Sequence, residues 1–131
     1  MPDKPPAAIA AIQVKARTGT IYPPSYAAAL AGREKRALGD AFGLTQFGVN
    51  LTTLAPGAWS SQRHWHERED EFIYVVDGEI VLIDDAGEHR RAIAVGECED
   101  GVQVHGGAQL RHAGDDDAGR GAGGEQRCCD L

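Results

Sequence analysis

Between Thr45 and Val95 the chain is written in short apolar runs separated by turn-forming residues. Phe47, Val49 and Leu51 alternate with Gly48, Asn50 and Thr52, the pattern of a strand with one buried face. Ala55-Pro56-Gly57 follows as a turn, and Trp59 to His66 reads as a further strand. Glu71 to Val76 reads as the next strand, Asp77-Gly78 as a two-residue hairpin turn, and Glu79 to Asp84 as its antiparallel return. Asp85-Ala86-Gly87 turns the chain again, before a strand over His89 to Val95. Short strands at about eight-residue spacing fold as a sandwich or a small barrel. The residues expected on its inner faces are Phe47, Val49, Leu51, Ile73, Val75, Ile80 and Leu82.

The flanks are written differently. Met1 to Ala10 is rich in proline and alanine and reads as a loose arm, with Ile9, Ile12 and Val14 available for one short edge strand. Successive prolines make Ile21 to Tyr26 a stiff connector, because they hold φ and remove donors. Ala27 to Leu38 has helix-forming composition, weakened by Gly32 and ending near Gly39. Beyond Gly96 there is no aromatic residue, and glycine and aspartate dominate from Asp115 to Gly124. Such a segment has too little apolar surface to offset its ordering entropy, so it reads as a flexible tail. The expected organisation is an arm over 1–44, a β core over 45–112 and a tail over 113–131.

At 131 residues the chain is one domain, large enough to bury a core. A net charge of −7 with no basic stripe disfavours nucleic acid as a partner. No long apolar run or signal segment is present, so the expectation is a cytoplasmic protein that does not engage a membrane. Three cysteines, of which Cys128 and Cys129 are adjacent, make no disulfide framework.

The chemistry concentrates between Gly57 and Gly78. His64 and His66 are two apart, so on extended chain both imidazoles leave the same face. Glu71 follows across the polar run Glu67 to Asp70. Two neutral imidazoles and a carboxylate suit a first-row divalent metal, although a solvated polar face would read the same way. Glu67, Glu69 and Asp70 read as the solvated bend or as groups orienting a histidine. Gln62 and Arg63 read as mouth residues, Arg63 equally as a surface charge.

Gly57, His64, His66, Glu71 and Gly78 resemble the first motif of the cupin superfamily, Gly-x5-His-x-His-x3–4-Glu-x6-Gly, with one extra residue after Gly57. The resemblance implies an all-β fold, the double-stranded β-helix or jelly roll, with one divalent metal (Fe, Mn, Zn or Ni) in its mouth. It implies His64, His66 and Glu71 as ligands. The family's second motif, Gly-x5-Pro-x-Gly-x2-His-x3-Asn, is degraded here. Its nearest match is Gly96-Glu-Cys98 followed by Val104 to His112. Aligned on Gly107 and Leu110, its histidine falls on Ala108, while His105 stands at a proline and His112 at the asparagine. The fourth ligand is therefore expected to be lost at Ala108, with His105 and His112 as alternative donors. The Gly-, Ala-, Arg- and Asp-rich text after Gly96 is what a displaced frame of a GC-rich gene yields, and a diverged tail would look alike.

The resemblance leaves the function between two classes. One is a metal-dependent enzyme on a small molecule, by oxidation, isomerisation or decarboxylation. The other is a non-catalytic cupin that binds or senses a small molecule or serves as a structural homodimer. A product whose metal site is impaired by a shifted frame is the third alternative.

Overall fold

The computed structural model describes the backbone of residues 4–93, 101–104, 109–112 and 126–130, and the side chains of residues 4–90. Its strands are β1 (Arg33–Ala37), β2 (Asn50–Leu54), β3 (Glu71–Asp84), β4 (Gly87–Ile93), β5 (Gly101–Val104), β6 (Gln109–His112) and β7 (Gln126–Asp130). Two short helices, α1 (Pro24–Ala27) and α2 (Leu38–Ala41), and 3-10 turns at Ala11–Gln13 and Ala28–Leu30 complete the elements. Among the described residues, no helix is long and apolar enough to cross a membrane.

The strands run in the order β1-β2-β7-β3-β4, and β5 and β6 also pair with β3, every pairing being antiparallel. The long strand β3 organises this arrangement. Its first half, Glu71 to Asp77, pairs with β5 and β7. Its second half, Gly78 to Asp84, pairs with β4 and β6 in another sheet. The register slips between Val75 and Asp77, and Gly78 has φ +88°. A bulge followed by a glycine in the left-handed region is how one strand turns the corner between two sheets. Asp77-Gly78 is therefore a corner within one strand and not the hairpin turn that its composition suggests, and Glu79 to Asp84 continues the strand instead of returning along it.

The core is made where the sheets face each other. Leu54, Ile80, Val75 and Val81 are buried almost completely, with Leu30, Leu51, Ala58, Ile73 and Leu82 around them. Thr52 and Thr53 are buried as well, so β2 is covered on both faces and lacks a solvent side. Five of the expected inner residues, Leu51, Ile73, Val75, Ile80 and Leu82, are in this core. Val49 is half-buried. Phe47 is 61 % exposed, because β2 begins only at Asn50 and leaves Phe47 on an unpaired approach.

Other expectations change with the pairing. The Ala27 to Leu38 helix shrinks to α1 and the turn after it, while Arg33–Ala37 forms β1 along β2. Ladder bonds to β2 override the helical propensity of Glu34, Lys35 and Arg36. Trp59 to His66 forms no named strand. The early arm makes a 3-10 turn instead of an edge strand, and its sheet contact is the isolated bridge Arg17↔Lys35. Gln126–Asp130 differs from the flexible tail expected over 113–131: its backbone is a strand seated between β2 and β3. The rest of that tail lies outside the described residues. Among the described residues the strand pairings form a path and not a closed ring, so the architecture is a cupin-like β fold with its jelly roll left open.

Candidate metal centre

Glu71 is the first residue of β3, and its backbone pairs with Val104 of β5. A strand end is a rigid place from which to project a carboxylate. His64 and His66 lie on the loop between β2 and β3, and the N-terminal part of the chain holds this loop at several points. The Trp59 amide donates to the Ala29 carbonyl at 2.9 Å, and the Gln62 side-chain amide to the Tyr26 carbonyl at 3.2 Å. Arg33 spans two segments, donating from Nη1 to the Ser60 carbonyl at 2.6 Å and from Nη2 to the Gly19 carbonyl at 3.1 Å. Arg63, expected at the mouth or on the surface, forms an exposed ion pair with Asp85. Trp59 and His64 are single bridge positions, so the His–x–His geometry is reached outside the named strands.

His64, His66 and Glu71 come together, with one potential ligand atom from each lying within 4.8 Å of the others. The two imidazole rings meet edge to face, their centroids 5.0 Å apart and their planes at 79°. His64 Nδ1 lies 2.8 Å from the Gln62 carbonyl. A carbonyl only accepts, so Nδ1 is the donor, and in the neutral ring that leaves the lone pair on Nε2. His66 Nδ1 lies 3.3 Å from a Glu69 carboxylate oxygen, which orients the second ring in the same manner. Glu69 is therefore an orienting group, Glu67 stays on the exposed bend, and Asp70, though exposed, borders the cavity.

This donor set fits a divalent transition metal. Nitrogen and oxygen ligands of one such ion sit at about 2.0–2.2 Å, hence within about 4.4 Å of one another, and small side-chain rotations close the remaining gap. The three residues border a cavity of about 1190 Å³, whose wall also includes Arg17, Lys35 and Ile73. Ala108 and His105 lie outside the described residues. The His112 backbone pairs with Ile80, in the half of β3 belonging to the other sheet, away from Glu71.

A family model described as the cupin domain matches residues 50–113. A sugar phosphate isomerase of the cupin superfamily from Silicibacter pomeroyi is 36 % identical in sequence, with a TM-score of 0.77 over 94 % of this chain and 73 % of that one. This chain belongs to the cupin superfamily. A provisional sugar phosphate isomerase from Acidithiobacillus ferrooxidans is 26 % identical, with a TM-score of 0.59 over 75 % of this cupin and 56 % of its own length. A polyketide cyclase from Streptomyces resistomycificus, 16 % identical with a TM-score of 0.64 over 94 % of this cupin and 74 % of the cyclase, shares the fold. No curated protein sequence matches.

The first-motif residues were legible because they are local, and cupins commonly bind a metal at such a group. Sequence reading missed Arg33 as the strut under the histidine loop. It also missed Arg17 and Lys35 as cavity residues. The available signal was the spacing of Arg33 and Lys35, two apart, which places them on one face once Arg33–Ala37 is a strand.

Proposed function

We propose that this cupin is a metal-dependent isomerase of a small phosphorylated sugar, holding one divalent ion through His64, His66 and Glu71. The observation that carries the reading is the convergence of these three donors on one cavity. The substrate class is supported by the similarity to the Silicibacter pomeroyi sugar phosphate isomerase. A bound divalent ion supplies Lewis-acid polarisation of a carbonyl oxygen. The chain's own part is to orient both imidazoles, through the Gln62 carbonyl and the Glu69 carboxylate at their Nδ1 atoms, and to present Glu71 from a rigid strand end. Interconversion of an aldose and a ketose moves a proton between adjacent carbons. Asp70, a cavity carboxylate outside the donor set, is assigned to carry that proton on its carboxylate oxygens.

Two measurements on the same preparations test this. Protein purified without chelators should retain a divalent ion, seen by elemental analysis, and interconvert a phosphorylated aldose and ketose. His66→Ala should lose the ion, whereas Asp70→Asn should keep it and lose turnover by about a hundredfold or more. Equal metal content in wild type and His66→Ala would overturn the metal site. Metal retained without turnover on phosphorylated sugars would return the chain to the non-catalytic, ligand-holding class.

A further inference from the structure

The three donors have three different supports. Glu71 begins a paired strand, and the His66 Nδ1 atom is met by Glu69 from within its own loop. His64 depends on a longer series of contacts. Its Nδ1 donates to the Gln62 carbonyl at 2.8 Å, and the Gln62 side-chain amide donates in turn to the Tyr26 carbonyl at 3.2 Å. Gln62 therefore engages the imidazole with its backbone and the N-terminal part of the chain with its side chain.

The segment to which Gln62 is fastened is stiff. Tyr26 lies in α1, just after Pro23 and Pro24, whose rings fix φ. The Tyr26 and Ala27 amides both donate to the Pro23 carbonyl, at 2.9 and 3.1 Å. Leu30, 2 % exposed, holds the next turn to the core, and the Gly32 carbonyl accepts from the Ala55 amide at 2.9 Å.

The root of the histidine loop is tied to the same segment twice more. The Trp59 amide donates to the Ala29 carbonyl at 2.9 Å, and Arg33 Nη1 donates to the Ser60 carbonyl at 2.6 Å. Arg33 Nη2 reaches the Gly19 carbonyl at 3.1 Å, so one guanidinium joins the loop root to a second stretch of cavity wall. The cupin-domain match covers residues 50–113, so the anchors at Gly19, Tyr26, Ala29 and Arg33 all precede it. Little slack is available at the other end. The donor atoms already lie within 4.8 Å of one another, against the roughly 4.4 Å that a single ion allows, so a small displacement of the His64 ring opens the set.

We infer that Gln62 is a positioning residue of the metal centre, and that the segment from Tyr26 to Arg33 sets metal affinity by fixing, through Gln62, where the His64 imidazole stands. The inference rests on the metal site of the proposed function and adds a control on it from outside the family-matched residues. Partners that orient a metal ligand are commonly worth a factor of about 10–100 in affinity. Gln62 differs from such a partner in one respect that makes it testable. The group His64 uses is the Gln62 backbone carbonyl, which a side-chain substitution leaves in place, so any effect of the substitution on the metal has to pass through the anchor at Tyr26.

Titration of the full chain with cobalt(II), followed by calorimetry and visible absorption, tests it. Gln62→Met keeps most of the side-chain length and removes the donor to Tyr26. Cobalt should bind about tenfold or more weakly, and the visible bands of the saturated complex should differ from wild type because the His64 nitrogen has moved. The metal-free thermal midpoint should stay near that of wild type, since the lost bond is at the surface. Arg33→Lys keeps the charge but not the planar fork that serves two carbonyls, and it should also weaken cobalt binding. Gln13→Met, the same change at an exposed glutamine of the Ala11–Gln13 turn, should leave affinity and spectrum unchanged. Wild-type affinity and spectrum in Gln62→Met would overturn the inference and leave the metal site standing, as would an equal loss in Gln13→Met. A lowered metal-free midpoint in Gln62→Met with cobalt affinity intact would also overturn it, because the link would then serve folding alone. A wild-type chain that binds no cobalt would sink the metal site and the inference with it.

Discussion

Leu54 has no exposed surface and is among the largest fully buried side chains. Truncating such a residue removes transfer energy and leaves a cavity, so Leu54→Ala should cost about 2–5 kcal/mol in urea unfolding. Phe47→Ala, at a position 61 % exposed, should stay within about 0.5 kcal/mol, and a loss as large as that at Leu54 would mean that Phe47 is covered. Gly32 is constrained for a different reason. Its φ is +85°, and a Cβ there would stand 2.8 Å from the Ala55 Cβ. Gly32→Ala should therefore lose about 2 kcal/mol or more, from backbone strain and overpacking together, and an unchanged midpoint would show that the turn relaxes freely. The contrast between Leu51 and Phe47 shows what sequence can carry at this scale. Alternation marks which side chains share a face, but a face is buried only if another element covers it, and nothing local to Phe47 says that β2 starts three residues later.

Among the elements, β3 and the β3–β4 hairpin separate what local chemistry decides from what pairing decides. The turn at Asp85-Ala86 was legible because its neighbours close it locally. Asp84 accepts from the Ala86 amide at 2.8 Å and from the Gly87 amide at 3.1 Å, and contacts His89 Nε2 at 3.0 Å. The hydrogen bond from His89 comes first in holding the Asp84 carboxyl below the ordinary value of 3.8, the two amides add to it, and loss of water opposes it. A folded-state value below the unfolded one means that ionised Asp84 favours the hairpin. That contribution is complete above the ordinary value and is lost as pH falls through the lowered one. Amide exchange at Ala86 and Gly87, corrected for intrinsic rates, should lose protection only in that acid range, and Asp84→Asn should remove the pH dependence. Protection that ignores pH in the wild type would refute the linkage. Asp77-Gly78 carries an equally strong turn signal, yet it is a corner, because β5 and β7 hold one side of it and β4 and β6 the other. Those partners come from distant sequence, so the dipeptide alone could not decide. The same holds for Arg33–Ala37, helical by composition and a strand by its ladder to β2.

For the molecule as a whole, the proposed metal links a named strand to a loop that lies outside the named strands. Glu71 belongs to β3, whereas His64 and His66 ride on a loop fastened to Tyr26, Ala29 and Arg33. An ion held by all three residues would tie that N-terminal support to the centre of the sheet and could not be bound in the same way by the unfolded chain. Its binding energy then appears as folding energy: at a free concentration one hundredfold above the dissociation constant, stabilisation is about 2.7 kcal/mol. For a domain of this size that raises the thermal midpoint by roughly 10 °C. The rise should follow the logarithm of metal concentration once the site is nearly full. Two variants locate its origin. Leu54→Ala should lower the midpoint with and without metal and keep the increment, because it weakens the core without touching a donor. His66→Ala should abolish the increment while barely changing the metal-free midpoint, since His66 is exposed and its removal opens no cavity. An increment of equal size in His66→Ala would place the bound ion elsewhere, and an increment lost in Leu54→Ala alone would mean that metal reports on core integrity and not on these three donors.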